Sequence, residues 1–513
     1  MFSYRSIWTE APRPEAIRRN PRAPWLAVGV VCFGAFMGQL DASIITLTFR
    51  PMEHDFGAPL AAVQWVSLSY LLLLVALVTP AGRLADRIGR KRVYTTGFII
   101  FTLGSAACGL APSLGLLIAC RLFQAAGAAM LQSNSVALVT TSVPREQMRL
   151  ALSIQAAAQS IGLGLGPTLG GLLTQTVGWR AVYWINVPVG ILAVVAGRYL
   201  LPRTRQLSGS DSVDWLGAAL LGLTTTALLV ALSVIGGLPL PGWFALVMAV
   251  LAVAAATAFA VRQRRARCPL IPPPLLRSAR LVLGLAGAFL GYLALFGPLV
   301  LVPQLLDGHG NAARTGLILS ALPVGFGVAA LTAEWIFPPS LPNRVRGCIG
   351  AATSAVGLVA LIFAARSTPG IVALLGLTGL GLGVFVPANN AVVMRTAAAG
   401  SAAVVGGLVN MARGIGTTFG IALVTLALHL AGSGRADGTM PFTVLAVAAG
   451  CAAVIAMSIR PLGSLPGQGS LPGQGSPPGS NSPPGQPRLQ PGAVRPDTAR
   501  PGRGSMDHRS SVR

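Results

Sequence analysis

Fourteen runs of predominantly apolar residues dominate this chain, at 24–49, 60–81, 93–111, 114–141, 151–176, 180–201, 214–235, 242–261, 281–305, 315–337, 347–365, 370–394, 401–430 and 439–459. Crossing about 30 Å of hydrocarbon takes about 20 apolar residues in a helix, and each run is near or above that length. No water reaches the backbone in a bilayer core, so such runs satisfy their N–H and C=O groups as helices. Charged residues are only 10% of the chain, against about 25% in a soluble domain. That is too few to cover a water-facing surface. The expected fold class is an all-α polytopic membrane protein with 14 transmembrane helices.

The net charge of +24 does not point to nucleic acid, because the basic residues sit in short connections and tails between the runs. Their placement is a topology signal. The even-numbered connections carry 19 basic residues and the odd-numbered ones 5. This bias predicts that both termini are cytoplasmic, in a multi-pass protein of the plasma membrane. The first run is too long for a cleavable leader and contains Asp41. The six cysteines are scattered without metal-ligand spacing and read as small packing residues. After Arg460 a Ser-Leu-Pro-Gly-Gln-Gly repeat decays into Pro/Gly/Ser/Arg sequence. With almost no apolar content, 460–513 is expected to be a disordered cytoplasmic tail, and 1–23 a cytoplasmic N-terminal segment.

The four histidines are dispersed, and no phosphate-binding loop or paired-carboxylate motif is present. An enzyme is therefore not expected, nor a cofactor or a metal. What remains is polar groups inside the runs, each costing roughly 2.5–3.5 kcal/mol to insert and so a functional candidate. Asp41 lies in the first run, where a carboxylate facing a cavity can cycle between protonated and charged forms or serve as a structural hydrogen-bonding group. Arg121 and Gln124 share one helix face in the fourth run. Gly162, Gly166 and Gly170 form a smooth stripe in the fifth, with Gly171 beside it and Pro167 able to bend the helix. Trp65 and Tyr70 in the second run, Glu334 near the end of the tenth and Arg413 in the thirteenth are cavity candidates.

Between the second and third runs stands Gly82-Arg83-Leu84-Ala85-Asp86-Arg87-Ile88-Gly89-Arg90-Lys91-Arg92. Its Gly82, Asp86, Arg87, Gly89, Arg90 and Lys91 resemble the loop between helices 2 and 3 of major facilitator superfamily transporters. Leu40-Asp41-Ala42-Ser43, and Trp179-Arg180 followed by Ile185-Asn186-Val187-Pro188, resemble motifs of its fourteen-helix drug/proton antiporter branch; Arg121-Leu122-Phe123-Gln124 resembles a superfamily motif linked with proton translocation, and Gly166-Pro167-Thr168-Leu169-Gly170-Gly171 one associated with antiporters. The match departs at Thr46, Ala125 and Gly414, and specific resemblance covers about residues 40–190.

The resemblance implies two six-helix halves, 24–201 and 281–459, with two extra helices and their linkers at 202–280. It implies proton-coupled export of a lipophilic small molecule, with Asp41, Arg121 and Gln124 at the proton site. The 82–92 segment would be a conformational gate and Gly166-Pro167 an antiporter hinge. Protons, the substrate and the lipid bilayer are the expected partners of a monomer, with no nucleic acid. The alternatives are a nutrient facilitator or importer on the same fold, and a non-transporting sensor or scaffold acting through its tail.

Overall fold

A computed structural model describes residues 13–144, 147–203, 214–266, 269, 271, 275, 277–306, 312–338, 340–364, 367–395, 402–431 and 438–459. The expected disordered tail lies outside them. Every regular element among the described residues is helical. The long helices are α1 (Ala23–Ile44), α2 (Trp65–Ile88), α3 (Arg90–Gly109), α4 (Leu114–Ser142), α5 (Met148–Thr176), α6 (Asn186–Leu200), α7 (Trp215–Ile235), α8 (Gly242–Arg265), α9 (Ala279–Leu305), α10 (Ala312–Ile336), α11 (Asn343–Ala364), α12 (Thr368–Met394), α13 (Ala402–Ala431) and α14 (Thr439–Ser458).

Twelve helices among the described residues are long and apolar enough to cross a membrane. The other two long ones, α3 and α5, lie where spans 93–111 and 151–176 are expected. Their composition is more polar: α3 opens on Arg90-Lys91-Arg92, and α5 carries Gln155, Gln159 and its glycines.

Two expected boundaries move. The first run does not continue to residue 49. α1 ends at Ile44, a 3-10 turn covers Ile45–Leu47, and a separate helix runs Phe49–Phe56. Thr46 and Thr48 bend the chain there by donating their hydroxyls back to the carbonyls of Ser43 (2.9 Å) and Ile45 (2.7 Å). The 82–92 segment is not an open loop either. α2 continues to Ile88 and α3 begins at Arg90, leaving Gly89 alone as the turn at φ 112°, a conformation that favours glycine.

The helices pair in two matching sets. α1 packs on α4, α5 and α6, α2 on α4, and α3 on α4 and α6. Adding eight to each label gives the pairings of the second set: α9 on α12, α13 and α14, α10 on α12, and α11 on α12 and α14. Two seams join the sets, α5 on α10 and α13 on α2, and the same rule exchanges them. α7 lies against α2 and α13, and α8 packs on α7. The most apolar stretch of α8 is only 11% buried.

Small residues set these distances. A Cβ on Gly162 or Gly170 would run into the backbone carbonyls of Phe36 or Ile44, and one on Gly166 into the Ser43 side chain. The stripe is thus the surface on which α5 rests against α1. Gly171 meets the Ala312 backbone and Gly316 the Pro167 carbonyl across the α5–α10 seam. By contrast, a Cβ on Gly82 would find its nearest neighbour, the Ser133 Cβ, at 3.7 Å. Gly170→Ala should therefore cost about 1–3 kcal/mol by overpacking. Gly82→Ala should leave stability unchanged or slightly raised, since alanine is the better helix former. Melting of the purified variants in detergent checks the order, and equal losses would refute it.

Candidate functional site

Asp41, Arg121 and Gln124 meet in one closed cage, and two residues join them that the sequence reading did not single out for this role. An Arg121 Nη1 donates to Asp41 Oδ2 at 2.8 Å. Gln124 Nε2 and Asn186 Nδ2 donate to Asp41 Oδ1 at 3.0 and 3.1 Å. Ser105 Oγ accepts from both amides, at 2.6 Å from Gln124 and 3.3 Å from Asn186. Arg121 also donates to the Val66 carbonyl at 3.1 Å and to Gln124 Oε1 at 2.7 Å. Its guanidinium lies 4.1 Å from the centre of the Tyr70 ring, close enough for a cation–π contact. All these side chains are buried, and Arg121 is 0% exposed.

Glycine determines how four helices converge here. A Cβ on Gly104 would strike the backbone of Gln124, and one on Gly190 the Thr102 side chain. Without those side chains α3 closes on α4 and α6 closes on α3, which carries Ser105 and Asn186 up to Asp41. Asn186 stood in the sequence only as part of an Ile-Asn-Val-Pro segment. Ser105 had no signal beyond being a small polar residue in an apolar run. Among the described residues, the buried polar side chains of the second set include Arg346, Ser354, Thr378 and Asn389.

Next to the cage is a cavity between the two sets, with an empty volume of about 810 Å³ counting its mouth. Its walls include Gly38, Gln39 and Ala42 of α1, Tyr70 of α2, Tyr292 of α9, and Asn410 and Arg413 of α13. Tyr70 and Arg413 both line this cavity. Tyr70 separates the cavity from the cage, with one side on Arg121. Trp65 lies elsewhere, in an apolar crevice between α2, α4 and α7 with Trp215 and Gly222. Glu334 lies on α10, and its side chain is outside the described residues.

The residues expected to form a gate cluster at the α2–α3 turn. Asp86 accepts from Arg90 in an ion pair at 2.9 Å, half exposed. Lys91 is buried and Arg87 exposed. Arg83 reaches the Pro269 carbonyl at 3.2 Å, tying this turn to the segment after α8.

At the opposite end Trp179 and Arg180 have a plain structural role. Both donate to Asp55 Oδ2, at 3.0 and 2.7 Å. Those hydrogen bonds, with the positive charge of Arg180, hold the Asp55 carboxyl below the usual carboxylate range. A depressed folded-state pKa favours the fold above the unfolded value and loses that contribution as pH falls through the folded one. The latch should thus persist at mildly acidic pH.

No group of three metal-ligating side chains occurs among the described residues.

Two matching sets of membrane-length helices around a cavity, with a buried charge pair beside it, describe a multi-pass transporter. The chain belongs to the Major Facilitator Superfamily, whose family model matches residues 31–421. It is similar to the Tetracenomycin C resistance and export protein of Streptomyces glaucescens, 32% identical over 80% of this chain and 78% of that protein. It is similar to the Methylenomycin A resistance protein of Bacillus subtilis, 29% identical over 83% of this chain and 92% of that one. Riboflavin transporter RibZ of Clostridioides difficile is 29% identical over 72% of this chain and 80% of that one. Proteins of this family are transporters, not enzymes.

Proposed function

We propose that the protein is a proton-coupled exporter of lipophilic small molecules that works as a monomer by alternating access. In this reading all fourteen long helices span the plasma membrane and both termini are cytoplasmic. The two six-helix halves are 24–201 and 281–459, and 202–280 carries the extra pair. The observation that carries the proposal is the position of α1. Asp41 faces the cage, Gly38, Gln39 and Ala42 face the cavity, and Ser43 and Ile44 meet the glycine stripe of α5. One helix thus touches the proton site, the substrate space and the hinge surface.

In the closed cage Asp41 accepts hydrogen bonds on both oxygens, and its charge is balanced by Arg121. A proton arriving at Asp41 removes that charge and loosens the grip of α4 and α6 on α1. Arg121 retains the Val66 carbonyl, Gln124 and the Tyr70 ring while it waits. An inward proton gradient then supplies the drive, its electrical part being about 2.3 kcal/mol per 100 mV per charge. Gly166-Pro167 serves as the packing hinge. Asp86 and its basic neighbours Arg87, Arg90 and Lys91 bias the gate at the α2–α3 turn.

The name of one relative states export and resistance, and that of another resistance. The riboflavin transporter supports the second reading, a facilitator or importer on the same fold. Proton flux into proteoliposomes decides between them. Substrate efflux coupled to inward proton movement is the expected result. Solute uptake that proceeds without any pH gradient would overturn the proposal.

A further inference from the structure

Two arginines sit deep in the helix bundle, and their surroundings differ in one respect. Arg121 is matched by Asp41 at 2.8 Å. Arg413 has no carboxylate partner among the described residues. Its one polar side-chain contact is with Asn410 Oδ1 at 3.4 Å, at the weak end for a hydrogen bond. Its guanidinium lies 4.3 Å from the centre of the Tyr292 ring. Besides Asp41, the acidic side chains described in the structure pair elsewhere: Asp86 with Arg90, Asp214 with Arg262, Asp55 with Arg180, Glu53 with Arg50 and Glu15 with Arg18.

Arg413, Asn410 and Tyr292 all line the central cavity. The remaining lining is largely small and aliphatic, with rings, amides and the hydroxyls of Ser135 and Thr417 set among it. Tyr70, Phe101 and Phe296 present rings, and Gln39, Gln132 and Gln159 present neutral polar groups. Among the described residues no acidic side chain lines it. The Tyr70 hydroxyl, on a residue 1% exposed, has no hydrogen-bond partner among the described residues. A buried polar group without a partner in a native fold calls for a missing one. A cavity with one uncompensated cation, several ring faces and an orphan hydroxyl is complementary to a planar ring system bearing one negative charge.

We propose that the cavity selects aromatic monoanions, with Arg413 as the counter-ion of the bound ligand, Asn410 orienting that guanidinium, and the ring of the ligand lying among Tyr70, Tyr292 and Phe296. The proposal rests on the transporter reading and narrows its substrate class. In the unliganded cavity Arg413 is poised on Tyr292. An arriving carboxylate or phenolate turns that contact into a charge-assisted pair, which is stronger than a neutral hydrogen bond. Cationic aromatics meet a like charge with no acid to offset it.

Equilibrium binding to the purified full-length protein, without any gradient, tests the substrate class independently of export. Titration calorimetry would compare 2-naphthoate, methyl 2-naphthoate and 2-naphthylmethylammonium at one pH. The carboxylate should bind at least about tenfold more tightly than the ester, with the ammonium weakest. Arg413→Gln should lower carboxylate affinity to that of the ester and leave ester binding unchanged, while Arg413→Lys keeps part of the preference. Gly38 offers an independent check that the cavity is the site, because a Cβ there has nothing within 4 Å. Gly38→Phe should then reduce binding of every probe without loss of folded protein. Equal affinity for acid and ester in the parent protein, or a carboxylate preference that survives Arg413→Gln, would overturn the proposal. A failure of gradient-driven efflux with the binding selectivity intact would instead count against export.

Discussion

Asp41→Asn is expected to give a protein that folds, reaches the membrane and binds substrate, yet shows no proton-driven export. The amide keeps the shape of the side chain and can still accept from Arg121 through its oxygen. Arg121 in turn retains the Val66 carbonyl at 3.1 Å, Gln124 at 2.7 Å and the Tyr70 ring. The cage therefore survives with some loss of stability. What disappears is the carboxylate that is proposed to take up the proton. Export should fall to the level of empty liposomes, and substrate-induced proton flux should vanish with it. Binding measured without a gradient should stay within a few-fold of the parent. Normal gradient-driven efflux by this variant would remove Asp41 from the mechanism.

The second large effect concerns the same pair from its other side. Arg121→Met removes the positive partner and leaves the Asp41 carboxylate, 2% exposed, facing two amide donors. Breaking a buried ion pair by deleting one partner typically costs about 3–5 kcal/mol, because the remaining charge is left desolvated. Much of a helical membrane domain's stability is at stake, so yield and melting temperature should both drop sharply. Combining Arg121→Met with Asp41→Asn removes the orphaned charge as well. The double variant should recover part of the loss, and a double-mutant cycle on thermal unfolding reads the coupling directly. A single variant as stable as the parent would mean that the cage is hydrated and that its charges are not paired against each other.

Much of this architecture is legible in the residues. Apolar runs locate the helices because a bilayer permits nothing else for such segments. A lone Asp in the first run and an Arg and Gln three residues apart in the fourth mark the cage, because charges in hydrocarbon are rarely accidental. The stripe Gly162, Gly166 and Gly170 marks a close helix contact, and the structure names its partner as α1. Local chemistry decided against the sequence in smaller ways. The run 24–49 breaks at Ile45 because Thr46 and Thr48 hydrogen-bond back to the chain. The 82–92 segment shrinks to a one-residue turn because Gly89 alone can take the required φ.

Other features were out of reach. Asn186 and Ser105 enter the cage from α6 and α3, and nothing in their local sequence says which way they face. Trp65 and Tyr70 stand five residues apart on α2 with similar credentials. One lines a lateral crevice and the other the central cavity, since a helix turns about 100° per residue and five steps point in different directions.

The sequence by itself determined that this chain is helical, that it lies in a membrane, and which few polar residues are costly enough to matter. Those are statements about transfer between water and hydrocarbon, and each residue carries that information alone. Only the tertiary structure decided that Asp41 is matched by Arg121 whereas Arg413 faces a cavity with no carboxylate partner among the described residues. Charge balance in a buried site depends on which helices meet and at what rotation, and that is fixed by packing across the whole bundle.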